Sequence, residues 1–155
     1  MRQATSLTMI DLALETNFEV FFQQFLGTGQ DESTLMHILK SPHSAMTFSD
    51  AGAHVSQILD ASIQTHLLAY WVRERQMLSL EEAIPMITRQ PAKLWNLHDR
   101  GQLLPGYAAD ITVFDPETLA PDMPEVVTDL PGGSKRLVGK AQGYKATVVN
   151  GEVLM

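Results

Sequence analysis

The chain is 155 residues long, 45% hydrophobic and 19% charged, with 11 Lys+Arg against 18 Asp+Glu and a net charge of −7. Such a composition describes a soluble globular chain and excludes the disordered and fibrous classes. The length allows a buried core without staples, but a closed (β/α)₈ barrel takes about 200 residues at the least. The absence of cysteine excludes disulfides, thiolate zinc sites, iron–sulfur clusters and cysteine nucleophiles, and fits a reducing cytoplasm. With no basic stripe and no apolar run of ~18 residues, neither nucleic acid nor a membrane is an expected partner.

Leu7, Ile10, Leu12 and Leu14 recur at helical spacing over 6–16, and Asn17 is placed to end that helix. Phe18 to Leu26, rich in Phe, reads as a strand, and Gly27 to Gln30 as a loop. Asp31 can cap a helix through Leu35, Met36, Ile38 and Leu39 that stops at Ser41-Pro42. Ala45 to Phe48 is a short apolar strand, so helix and strand signals alternate as in α/β units. Ser56 to Met77 reads as one long helix whose stripe includes Leu67, Leu68 and Trp71.

Ser79 and Glu82 have capping-box spacing, which explains the Glu81-Glu82 pair without assigning it chemistry. Pro85 predicts a kink and Pro91 a break before a short turn over 92–97. Past Gly101 the composition turns to β: Asp110 to Asp115 stops at Pro116, and two β-rich runs flank the hairpin dipeptide Asn150-Gly151. Between them, 115–143 is expected to be a long loop excursion because of its prolines and glycines.

One segment draws attention chemically. Ser49-Asp50-Ala51-Gly52-Ala53-His54 sets an acid and a histidine just after a short apolar strand, where α/β folds keep their active sites. Equally, Ser49 or Asp50 could cap a following helix while Gly52 eases the turn. The five histidines, His37, His43, His54, His66 and His98, show no metal-binding pairing, and Asp50 with His54 would be two ligands where a site needs three or four. No Gly-x-Ser-x-Gly elbow is present, and Gly132-Gly133-Ser134-Lys135-Arg136 lacks phosphate-loop spacing and reads as a turn.

Taken together, Ser49 to His54, His66-Leu67-Leu68 with Trp71 to Glu74, and Leu80 to Ala83 with Thr88, Pro91 and Ala92 resemble metal-dependent amidohydrolases of the D-aminoacylase type. So do Asp99 to Leu103 with Pro105-Gly106 and Ala109-Asp110, Asp129-Leu130-Pro131 with Gly133 and Arg136, and Val148 to Gly151. The resemblance covers nearly the whole chain and is weakest over about the first 40 residues.

It implies an α/β fold: the C-terminal part of an amidohydrolase TIM barrel over 1–100, followed by the C-terminal strands of a small β-domain over 101–155. Residues 18–26 and 45–48 would then be the seventh and eighth barrel strands. The implied reaction is zinc-dependent hydrolysis of the amide of N-acyl-D-amino acids. Asp50 matches the aspartate that touches the metal and takes the proton from the attacking water, and His54 matches a histidine at the substrate mouth. The upstream metal ligands of that family have no counterpart here, so the chain alone is expected to bind no zinc and to be inactive. The alternative is a non-catalytic module that self-associates through the Leu67, Leu68 and Trp71 stripe, as a homo-oligomer or with a missing barrel portion.

Overall fold

Helix α1 (Arg2–Glu15) stops where Asn17 and Phe18 turn left-handed, with φ of 50° and 61°. The Phe18 N–H donates to the Ala13 carbonyl at 2.7 Å and the Asn17 N–H to that of Leu14 at 3.2 Å, closing off carbonyls that the helix leaves open. A computed structural model describes residues 2–20, 22, 31–47, 49–54 and 59–155. The chain falls into two units, Met1–Leu35 and Met36–Met155, each treated by itself.

Asp31 caps α2 (Glu32–Leu39), accepting from the Thr34 N–H at 2.8 Å, the Ser33 hydroxyl at 2.6 Å and the Thr34 hydroxyl at 3.1 Å. Those donors, the Ser33 hydroxyl foremost, pull its carboxyl from 3.8 down to about 2.

In the second unit, α3 (Ile63–His66) runs straight into a π-helical stretch, Leu67–Glu74. Leu67 is fully buried, and Leu68, Ala69 and Trp71 are nearly so. The capping box forms as expected: the Ser79 hydroxyl accepts from the Glu82 N–H and the Glu82 carboxylate from the Ser79 N–H, opening α4 (Leu80–Ile87). This helix packs on the π-helical stretch and buries Ala83 and Met86. It carries Pro85 inside it, and the chain breaks at Thr88 (φ −129°, ψ −84°) rather than at Pro91. Pro91 instead lies in the first turn of α5 (Arg89–Leu94), where a missing N–H removes no helical hydrogen bond.

The β region begins with β1 (Ile111–Phe114), which pairs antiparallel with β6 (Tyr144–Val149). Strand β6 pairs in turn with β7 (Glu152–Val153) through the Asn150-Gly151 turn. Both turn residues have positive φ, 50° and 86°, as a type I′ hairpin requires. The segment expected as a loop excursion contains four further strands. β2 (Ala120–Pro121) pairs with β5 (Ala141–Gln142), and β3 (Glu125–Leu130) with β4 (Ser134–Val138) across a 3₁₀ turn at Pro131–Gly133. The prolines and glycines mark the ends of a β-ribbon rather than its absence.

Leu119, 1% exposed, anchors this region to the helices. Arg73 in the π-helical stretch donates to the carbonyls of Pro116 at 3.0 Å and Leu119 at 2.6 Å, and Thr65 shares a 2.8 Å hydrogen bond with the Tyr144 hydroxyl. Gly143, at φ 86°, admits this contact, since a Cβ there would stand 2.5 Å from the Leu119 Cα.

Three further expectations need correction. Residues 18–20 and 22 form no strand, and neither do 45–47; Phe21, 23–26 and Phe48 lie outside the described residues, as does the loop expected at 27–30. A parallel strand exists only through its neighbours, and every paired strand among the described residues is antiparallel. The helix expected from Ser56 starts only at Ile63, with Ser56 to Ile58 outside the described residues. Lastly, the Leu67, Leu68 and Trp71 stripe is already buried within the chain, so it offers no face for self-association.

Candidate functional site

Asp50 opens a tight turn: the Ala53 N–H donates to the Asp50 carbonyl at 2.9 Å, and Gly52 supplies the positive φ of 89° that the turn needs. The Ser49 hydroxyl accepts from the Ala51 N–H at 3.3 Å, bracing the approach. His54 leaves the turn in the left-handed region at φ 54°, a conformation uncommon for side-chain-bearing residues but enriched in Asn, Asp and His. Both the Asp50 and His54 residues are exposed, so one short loop presents an acceptor carboxylate and an imidazole to solvent. The turn role expected for Gly52 holds. Among the described residues no helix begins between Ser49 and Ile63, so neither Ser49 nor Asp50 is seen capping one.

Asp60, which the sequence patterns did not single out, supports this loop from below. Its Oδ2 accepts from the Asp50 backbone N–H at 3.4 Å, while its Oδ1 is buried without a hydrogen-bond partner. No pattern in the sequence marks it, since its link to Asp50 spans ten residues and exists only in the folded loop.

A zinc ion needs three or four ligands in reach of one another. Among the described residues no group of three His, Asp or Glu side chains converges in that way, and Asp50 stands as a single carboxylate. The described residues therefore do not form a metal centre by themselves, and no step is routed through one.

Most of the remaining motif residues turn out to be architectural. Arg100 donates one arm to the Asp110 carboxylate and the other to the Asn150 side-chain oxygen at 2.8 Å. The other Asp110 oxygen accepts from the Asn150 N–H at 2.8 Å, and the Gly151 N–H donates to the Ala109 carbonyl at 3.0 Å. The Asn150 N–H, followed by the Arg100 guanidinium, holds the Asp110 carboxyl below its ordinary value. Gly101 fits under this clamp only because it lacks a Cβ, which would stand 2.7 Å from that of Ala92. At the far end of the ribbon, Arg136 makes a two-pronged pair with Asp129 at 2.7 Å on each prong, across the turn at Pro131–Gly133. Of the turn expected over 132–136, Gly132 and Gly133 lie in this turn while Ser134, Lys135 and Arg136 belong to β4, and the pairing depresses the Asp129 carboxyl.

Comparison with known proteins agrees with these motifs. The profile of the amidohydrolase family matches residues 13–155. N-acyl-D-glutamate deacylase of Alcaligenes xylosoxydans xylosoxydans is 44% identical over 55 residues, 36% of this chain and 11% of the relative. N-acyl-D-aspartate deacylase of the same organism is 39% identical over 87 residues, 56% of this chain and 16% of the relative. The crystal structure of N-acyl-D-glutamate deacylase from Bordetella bronchiseptica, complexed with zinc and a phosphonate inhibitor, superposes with a TM-score of 0.46 at 32% identity, over 59% of this chain and 17% of that one. The chain thus spans 11% and 16% of the length of the two curated relatives. It belongs to the amidohydrolase family.

Proposed function

We propose that this member of the amidohydrolase family takes part in hydrolysing the amide bond of N-acyl-D-amino acids. The observation that carries the reading is the turn of residues 49–54, which exposes Asp50 and His54, four residues apart, on one short loop, within a family match spanning 13–155. The Asp50 carboxylate would accept a proton from the attacking water and return it to the leaving amine, the two-way proton transfer of a general base that then serves as general acid. His54 would contact the substrate at the mouth of the site. Zinc fits this reading as the family's metal: Asp50 would touch it, and the further ligands it needs are not found among the described residues.

On this reading, residues 1–100 contribute the last part of a TIM barrel and 101–155 the strands of a small β-domain, and the chain by itself is inactive. The division near Gly101 is supported by the change from helices to antiparallel strands on either side of it. A cysteine-free composition suits a cytoplasmic setting.

A second reading, an interaction module that self-associates or docks on a barrel portion, is favoured by apolar residues that remain exposed. Leu94, Trp95, Leu97, Leu103 and Leu104 are all at least 48% exposed.

The test is N-acetyl-D-glutamate and N-acetyl-D-aspartate hydrolysis in zinc buffer, by the chain alone and mixed with the upstream part of a relative. Turnover only in the mixture, with the two sedimenting together, is expected. Turnover by the chain alone would overturn the need for further ligands, and none in a co-sedimenting mixture would favour the non-catalytic module.

A further inference from the structure

We infer that the cavity between α5 and the segment 96–107 is a binding site for a small, multiply charged oxyanion, the head group of a phosphorylated or polycarboxylate metabolite. The cavity measures about 610 Å³ and is walled in part by Arg89, Lys93, His98 and Arg100. Its lining takes three of the chain's 11 Lys+Arg and none of its 18 Asp+Glu. In a protein of net charge −7, a concave surface lined by cations and by no acid draws anions, although Asp99 and Asp110 stand beside Arg100.

The fold builds this cluster deliberately. Arg89 and Lys93 are four residues apart on α5 and so share a face. The helix then ends in a left-handed Asn96 (φ 57°), with the Leu97 N–H on the Ala92 carbonyl at 2.8 Å and the Asn96 N–H on that of Lys93 at 3.2 Å. That reversal sends the chain back along the helix. The Cβ-free Gly101, pressed against Ala92 and Thr88, holds the returning segment close enough for His98 and Arg100 to line the same space.

The cations differ in what they can offer. Arg100 is committed to Asp110 and Asn150, with Asp99 also near it at 3.9 Å. The side chains of Arg89 and Lys93 enter no ion pair or hydrogen bond among the described residues, which leaves a guanidinium fork and an ammonium without a counter-ion. Side-chain amides of Gln90, Asn96 and Gln102 add neutral donors, and Tyr107 an aromatic wall for the body of a ligand. None of the lining comes from the 49–54 turn, so the inference stands whether or not the hydrolase reading does.

The experiment is titration of the full chain with inorganic phosphate and, separately, with citrate, at constant ionic strength set with sodium chloride. It is read by calorimetry and by the His98 imidazole resonances. Saturable binding of at least one of the two, weakened at least tenfold in Arg89→Gln/Lys93→Gln, is expected. A Lys135→Gln control, an exposed cation on β4, should bind as the unchanged chain does. Tighter phosphate binding assigns the phosphorylated class and tighter citrate binding the polycarboxylate class. A response no larger than that to sodium chloride, or equal binding by the double variant, overturns the site. Since the unchanged chain alone can give the first of these results, failure of a variant to fold does not shelter the proposal.

Discussion

Arg100, Asp110 and Asn150 are spread over fifty residues, yet they close one clamp in which a single carboxylate serves a guanidinium and a backbone N–H together. The Asp110 carboxyl is held below its ordinary 3.8 by that N–H first and the guanidinium second. A carboxylate with a depressed pKa adds stability above the ordinary value and loses it as pH falls through the folded one. Amide exchange at Asn150 and Gly151 is therefore expected to be slow at pH 6 and to quicken, after correction for intrinsic rates, as pH drops below about 3.8. An Asp110→Asn chain should lack that pH step. Gly143 is a second single-residue constraint. At φ 86° and with Leu119 backbone where a Cβ would go, Gly143→Ala combines left-handed strain with a backbone clash. The expected loss is roughly 2–4 kcal/mol in denaturant unfolding, the sum of those two costs.

Among the elements, α4 has its start fixed by the reciprocal Ser79 and Glu82 bonds. Ser79→Ala should lower stability by about 1 kcal/mol, and thermal unfolding measures it. This capping box, the Asn17 helix stop, the Asp31 cap and the Asn150-Gly151 hairpin were all legible in the sequence, because each is settled within four or five residues by the chemistry of its own side chains. What was not legible depends on partners far along the chain. Residues 45–47 have the composition of a strand but no ladder among the described residues, and Leu67, Leu68 and Trp71 read as an open face although α4 and Leu119 lie in the same core. The β3–β4 ribbon was hidden by its own prolines and glycines, which sit at its turn and ends while Val126, Val127 and Leu137 make the ladder. Asp50 was legible as a candidate from its place after an apolar run. Asp60 beneath it, and the Arg89 and Lys93 face, emerge only once loop and helix are folded.

For the molecule as a whole, the family motifs divide into two kinds. Arg73, Arg100, Asp110, Arg136 and Asn150 tie the helices and the antiparallel strands into place, and their partners are all on this chain. Asp50 and His54 are different: they are exposed on a tight turn and have no cluster of ligands with them among the described residues. The central claim, that Asp50 is the proton-transferring carboxylate of a deacylase site to which this chain contributes, is tested most directly with Asp50→Ala in the mixture of this chain and the upstream part of a relative. Hydrolysis of N-acetyl-D-glutamate is the readout, with co-sedimentation showing that assembly is intact. Removal of a general base costs about 10²–10⁴-fold in rate, so a fall of at least a hundredfold in kcat with assembly unchanged is expected. An Asp50→Ala mixture that assembles and turns over at the unsubstituted rate would contradict it.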